Sequence, residues 1–183
     1  MVPLNLPNAL TLARILLVPV LVVALALEAP GGSAVAAAVF AVAALTDGLD
    51  GYIARSRHAV TTFGKVMDPV ADKLLVAAAL ISLVSLDRLE AWVAMVIIAR
   101  EFAVSGLRIA AGQQGVVMPA SALGKVKTIV QVVAILALIA ANDPDAAWVQ
   151  ALVYAMVTIT VVSGVDYFLN FRRRLEEVSR ARP

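Results

Sequence analysis

The stretch Asp47-Gly48-Leu49-Asp50-Gly51-Tyr52-Ile53-Ala54-Arg55 closes one long apolar run, and Gly64-Lys65-Val66-Met67-Asp68-Pro69-Val70-Ala71-Asp72-Lys73 opens the next. On a helix Asp47, Asp50 and Ala54 share one face, and Asp68 and Asp72, one turn apart, share another. A short turn between two such helices makes them antiparallel. The two acid pairs then face each other at about one depth. Carboxylates at the edge of an apolar helix pair are costly and carry a purpose.

Working outward, the same apolar texture covers the whole chain. Of its 183 residues 62% are hydrophobic and 15% charged, with a mean hydropathy of +0.92. Soluble domains average about 45–50% apolar and about 25% charged. A soluble domain this apolar would lack the polar surface to cover itself, so the chain is expected to lie in a bilayer. A span needs about 20 mostly apolar residues, and six stretches qualify. They run from about Asn8 to Leu27, Ser33 to Ser56, Thr61 or Thr62 to Leu86, Leu89 to Gly112, Pro119 to Ala141, and Ala146 to beyond Phe171. The breaks are explicit: Glu28-Ala29-Pro30-Gly31-Gly32 ends the first, and Asn142-Asp143-Pro144-Asp145 ends the fifth. The runs are continuous rather than alternating, which argues against a membrane barrel. The fold class expected is all-α: one membrane-embedded domain over residues 1–183, with a basic tail from about 172 to 183.

Met1 to Leu10 carries no Lys or Arg, so a cleavable leader is not expected. The absence of cysteine excludes disulfides and thiolate metal sites. Lys and Arg set the expected orientation. Arg55, Arg57 and Lys65 flank the second connection, Arg108, Lys125 and Lys127 the fourth, and Arg172, Arg173, Arg174, Arg180 and Arg182 the end of the chain. The opposite side holds Glu28, Asp87, Arg88, Glu90, Asp143 and Asp145, one Arg against five acids. Both termini are therefore expected in the cytoplasm, which agrees with an even number of spans.

Four carboxylates gathered at that side repel one another unless cations neutralise them. Hard oxygen ligands suit Mg²⁺, Mn²⁺ or Ca²⁺. Two ions bridged by shared carboxylates suit displacement at phosphorus. A blander reading pairs the acids with Arg55, Arg57, Lys65 and Lys73. A third makes the chain a cation carrier, although carrier acids tend to sit at mid-membrane. Gly48 and Gly51 each weaken a helix by roughly 0.5–1 kcal/mol relative to Ala. Close approach by a bulky ligand accounts for them, and so does close helix packing. Pro69 leaves a carbonyl of the preceding turn without its helical donor, and a kink there could open the site.

The full pattern, Asp47-x2-Asp50-Gly51-x2-Ala54-Arg55-x8-Gly64-x3-Asp68-x3-Asp72, resembles the signature of the CDP-alcohol phosphatidyltransferases at every fixed position. The resemblance implies a six-helix fold, a homodimer, and a cleft open to cytoplasm and bilayer. It implies that Asp47, Asp50, Asp68 and Asp72 bind two divalent cations, Mg²⁺ or Mn²⁺, and that Asp72 is also the general base. Gly51, Arg55 and Gly64 match positions that hold the CDP part of the lipid, with Thr61 beside them. Three further stretches, Asn5 to Arg14, Arg100 to Arg108 and Ala120 to Thr128, resemble the bacterial branch that makes phosphatidylglycerophosphate. That branch joins CDP-diacylglycerol and sn-glycerol 3-phosphate, with release of CMP, at the bacterial inner membrane. Inositol phosphate, serine and phosphatidylglycerol stay open as other acceptors, and no nucleic-acid partner is expected.

Four polar stripes run along the other helices. Glu101, Ser105 and Arg108 share a face of the fourth helix, and Gly124, Lys127, Thr128 and Gln131 a face of the fifth, with Lys125 nearby. Arg108, Lys125 and Lys127 are the candidate ligands of the acceptor phosphate. The alternative is contact with lipid headgroups alone. Asn8, Thr11 and Arg14 line one side of the first helix; Asn8 and Thr11, with Gly48, are further candidates for the CDP-lipid. Asp166, Asn170 and Arg173 form a stripe on the sixth helix to which no role is assigned.

Overall fold

A computed structural model of the chain describes residues 6–27, 33–56, 62–113 and 121–180, with side chains over 8–27, 33–46, 67–113 and 121–176. Within them the protein is a bundle of six helices: α1 (Leu6–Ala26), α2 (Ala34–Ser56), α3 (Thr62–Ser85), α4 (Ala91–Gln113), α5 (Ala122–Ala140) and α6 (Ala147–Arg180). No strand occurs among the described residues. The six apolar runs thus become six helices, with ends within about three residues of those expected. The last differs most: α6 continues through Arg172, Arg173 and Arg174 to Arg180, so much of the expected basic tail is helical. Good helix formers in Arg-Arg-Arg-Leu-Glu-Glu sustain it, and Arg172 pairs with Glu176 one turn on at 3.0 Å.

Each helix turns small or branched apolar residues inward at helical spacing. Leu21 and Leu25 of α1, Ala36, Phe40 and Ala43 of α2, and Leu75, Ala79 and Leu83 of α3 are buried together. They meet Ile97 of α4, Ile135, Leu138 and Ile139 of α5, and Val149 and Met156 of α6. α1 packs most extensively on α3, and α5 on α6, with α4 against α6 and α2 against α5. The outer surface carries many large apolar side chains: Leu16, Val35, Leu45, Met95 and Ile129 are all exposed. An apolar exterior around buried Asn8, Arg14, Lys127 and Gln131 is the pattern of a bundle solvated by lipid.

α1, α5 and α6 are long and apolar enough to cross a membrane unaided. α3 and α4 carry charges that interrupt such a run, among them Asp68, Asp72, Arg100 and Glu101, while Ala34–Thr46 of α2 is a shorter apolar stretch. Proline is placed inside two helices, Pro19 in α1 and Pro69 in α3. The Pro69 carbonyl accepts Lys73 Nζ at 3.1 Å, which ties that side chain along its own helix.

The bundle has two ends. One gathers the start of α1, the end of α2 and the start of α3, together with the end of α4, the start of α5 and the end of α6. The other holds the α3–α4 and α5–α6 turns. There Asp87 takes a φ of 54°, a left-handed conformation that Asp tolerates better than most residues. That turn lets Arg88 reach α5, where Nε donates to the Leu138 carbonyl at 2.8 Å and a terminal nitrogen donates to that of Ala141. These are carbonyls that a helix C-terminus leaves without partners.

Candidate active site

The first element of the site is a buried polar stripe on α1. Asn8, Thr11 and Arg14 are spaced so that all three turn toward α2 and α3, and Thr11 is 0% exposed. The Thr11 hydroxyl donates to Asp68 Oδ1 on α3. Arg14 Nε donates to the Ala43 carbonyl at 3.3 Å, one turn before Asp47 on α2. One helix therefore contacts both segments that carry the paired acids. Thr11, a candidate for the CDP-lipid, is placed against an acid of the signature, where it orients that carboxylate.

Asp68 and Asp72 stand one turn apart on α3, both half-buried. Asp47 and Asp50 lie on the helical backbone of α2, which packs on α3. The side chains of Asp47 and Asp50 lie outside the described residues, as do those of Gly48, Gly51, Arg55 and Gly64 and the whole of Thr61. Among the described residues no three acids or histidines converge. What the structure does offer a hard cation is two carboxylates at one-turn spacing on α3, one of them held by Thr11. The helix carrying the other two acids is packed alongside. An all-oxygen donor set of this kind fits Mg²⁺ or Mn²⁺.

Beyond Asp72 the bundle opens into a cavity of about 260 Å³ between α3, α4, α5 and α6. Asp72, Glu101, Arg108, Lys125, Lys127 and Tyr167 all line it. The three cations expected to meet a phosphate are therefore brought together, and beside the acid expected to act as base. They are not equivalent. Lys127 is 6% exposed and pairs with Glu101, whose Oε1 also receives Arg100 Nη1 at 3.4 Å. Arg100 in turn donates to Ser163 Oγ on α6 at 3.1 Å. Gly164 makes room for it: a Cβ there would lie 3.2 Å from Arg100 Cγ. Arg108 and Lys125 are exposed, and neither has an acid partner among the described residues. The Arg108 guanidinium lies 5.9 Å from the centroid of the Tyr167 ring, within cation–π range.

Two contributors, Ser121 and Tyr167, were not singled out in the sequence. Ser121 caps α5, its hydroxyl accepting Gly124 N at 3.1 Å, and so fixes the turn on which Lys125 and Lys127 stand. Tyr167 supplies the platform for Arg108, and its own hydroxyl is buried without a partner. Gln131, one turn beyond Lys127, leaves Oε1 buried and unpaired. The Asp166–Asn170 pair closes on itself at 3.1 Å.

A half-buried acid pair thus lies beside a cation-lined cavity in a six-helix, lipid-facing bundle. The sequence model of the CDP-alcohol phosphatidyltransferases matches residues 4–163. The chain belongs to that family. It is 45% identical to the CDP-diacylglycerol–glycerol-3-phosphate 3-phosphatidyltransferase of Bacillus subtilis (strain 168), over 90% of this chain and 93% of that one. It is 44% identical to a probable phosphatidylglycerophosphate synthase of Mycobacterium tuberculosis (strain H37Rv), over 89% of this chain and 79% of that one. A cardiolipin synthase (CMP-forming) of Oryza sativa subsp. japonica is 40% identical, over 88% of this chain and 53% of that one. The protein is thus a membrane-embedded CDP-alcohol phosphatidyltransferase.

Proposed function

We propose that the protein transfers the phosphatidyl group of CDP-diacylglycerol to sn-glycerol 3-phosphate, giving phosphatidylglycerophosphate and CMP. The observation that carries this reading is the cavity itself. One wall presents Asp72, and the other presents two cations, Arg108 and Lys125, that no acid among the described residues neutralises. A small acceptor with a hydroxyl at one end and a phosphate at the other fits between them. Names borne by relatives of similar length support the same acceptor.

The acceptor's primary hydroxyl attacks the β-phosphorus of the CDP-lipid, the one next to the diacylglycerol. A new P–O bond forms, the bond to the α-phosphate oxygen breaks, and CMP leaves. Asp72 receives the hydroxyl proton. Arg108 holds the acceptor phosphate through its N–H edge, and Lys125 adds a point charge. Lys127 shapes the same field from its pair with Glu101. Asp47, Asp50, Asp68 and Asp72 hold two divalent cations, Mg²⁺ or Mn²⁺, whose chemistry when bound is to stabilise charge on the entering and leaving oxygens. Arg55 pairs with the diphosphate. Gly48, Gly51, Thr61 and Gly64, with Asn8 and Thr11 behind them, form the seat of the CDP-lipid. The protein works as a homodimer in the bacterial inner membrane, both termini and the cleft facing the cytoplasm, in contact with anionic lipid through its C-terminal arginines.

One further acceptor has support: phosphatidylglycerol, from the likeness to a cardiolipin synthase. The deciding experiment incubates the purified protein with CDP-diacylglycerol and, in parallel, glycerol 3-phosphate, phosphatidylglycerol, inositol phosphate or serine. CMP release should be greatest with glycerol 3-phosphate and abolished by a chelator. Release that is greatest with another acceptor overturns the choice of glycerol 3-phosphate. Full release in the chelator overturns the metal role.

A further inference from the structure

Glu101 has one oxygen occupied and one that is not. Its Oε1 receives both Lys127 Nζ and Arg100 Nη1, and the backbone around it is tied by Ser105 Oγ, which donates to the Glu101 carbonyl at 2.7 Å. Arg100 is itself anchored on Ser163 and lodged over Gly164. The carboxylate is thereby fastened to α4, α5 and α6 at once. Its Oε2 has no hydrogen-bond partner among the described residues, nor is it a buried orphan, while Glu101 lines the cavity shared with Asp72, Arg108 and Lys125. A charged acceptor atom, fixed in place and left open toward a cavity, is a ready partner for a ligand O–H.

A stabilising ion pair alone accounts for less than this. Burying a salt bridge is weak evidence for stability, because desolvation offsets much of the attraction. Nor does a carboxylate belong in a site that only binds phosphate, where it repels the ligand. It does belong in a site whose ligand carries an anion at one end and a hydroxyl that must be recognised elsewhere.

We infer that Glu101 is a specificity-determining residue whose free carboxylate oxygen accepts a hydrogen bond from the secondary, non-reacting hydroxyl of the glycerol phosphate acceptor. This rests on the acceptor proposed above. The primary hydroxyl is turned to Asp72, the phosphate lies at Arg108 and Lys125, and the hydroxyl between them meets Glu101. Lys127 and Arg100 act through Glu101, as positioning residues that hold its carboxylate in that attitude.

The test compares two acceptors, glycerol 3-phosphate and 3-hydroxypropyl phosphate. The second keeps the primary hydroxyl and the phosphate but lacks the secondary hydroxyl. With the intact protein, kcat/KM should favour glycerol 3-phosphate about tenfold to a hundredfold, as expected for a lost hydrogen bond to a charged group. Glu101→Met should reduce that preference to within about threefold, chiefly by lowering activity on glycerol 3-phosphate. A purely structural brace would lower both acceptors alike and leave the ratio unchanged, which overturns the inference. The wild-type ratio stands even if Glu101→Met fails to fold, and a wild-type ratio near one also overturns it. If CMP is released with neither acceptor, the choice of acceptor is wrong, and this inference falls with it. Equal, efficient use of both removes the role of Glu101 and leaves the proposed reaction intact.

Discussion

The two ends of the bundle each enclose a cavity lined by charged residues and an aromatic ring, yet they are built to opposite purposes. The cavity at the α3–α4 turn is the larger, about 340 Å³ against about 260 Å³. Several of its polar groups are already engaged: Arg88 serves two carbonyls of α5, Glu90 accepts the Trp92 indole N–H, and Gln150 donates to the Pro144 carbonyl at 3.0 Å. At the other end, among the described residues, Arg108 and Lys125 lack acid partners, Glu101 keeps an oxygen free, and the Tyr167 hydroxyl and Gln131 Oε1 are buried unpaired. Buried polar groups are nearly always satisfied, so a cluster of exceptions marks a place for something else. Volume does not separate the two ends; buried polar atoms without partners among the described residues do.

The most severe way to test that contrast is to neutralise the acid that faces the smaller cavity. Asp72→Asn should keep the helical bundle, since the residue is half-buried at a wall and lies outside the apolar core. Turnover should fall by about a thousandfold or more, combining loss of a base with loss of a cation ligand. CMP release by detergent-solubilised protein measures it. Near-normal turnover would remove Asp72 from both roles.

Arg108→Ala comes next. It removes a guanidinium that lines the cavity beside the Tyr167 ring and has no acid partner among the described residues. The KM for glycerol 3-phosphate should rise about tenfold to a hundredfold, with the KM for CDP-diacylglycerol within about twofold of wild type. An equal rise for both substrates would place Arg108 in the lipid seat instead.

How far this was legible in the sequence depends on whether the interaction is local. Six helices followed from continuous apolar runs with Gly, Pro and Asp at the breaks, because lipid demands satisfied backbone along every span. The stripe of Glu101, Ser105 and Arg108 was legible because residues three and four apart on a helix are neighbours. The partners across helices were not. Lys127 stood with Arg108 as an equal phosphate ligand on spacing alone. Only the docking of α4 on the rest of the bundle reveals that Glu101 holds it. Thr11 was legible as polar, while its bond to Asp68 depends on which face of α1 meets α3. The partial signals were Gly164, a residue without a side chain amid larger neighbours, and Tyr167, one turn after Ser163.

The mildest expected effect comes from the opposite end, and it tests the contrast from its other side. Arg88→Met keeps the length and apolar stem of the side chain and deletes its donors to Leu138 and Ala141. Two carbonyls at the end of α5 then lose their partners, a cost of about 1–3 kcal/mol, reduced to the extent that headgroup water reaches them. The melting temperature in detergent should drop by several degrees. The KM values for both substrates and the kcat at a temperature below melting should stay within about twofold of wild type. The reason is geometric: Arg88 braces the start of α4 and the end of α5, whereas the catalytic groups stand at the far end of the same helices. Those groups are held there by contacts of their own, Ser121 at Gly124 and Arg100 at Ser163. A selective loss of acceptor affinity in Arg88→Met would mean that the two ends are coupled through α4 and α5, and that the larger cavity belongs to the working part of the enzyme after all.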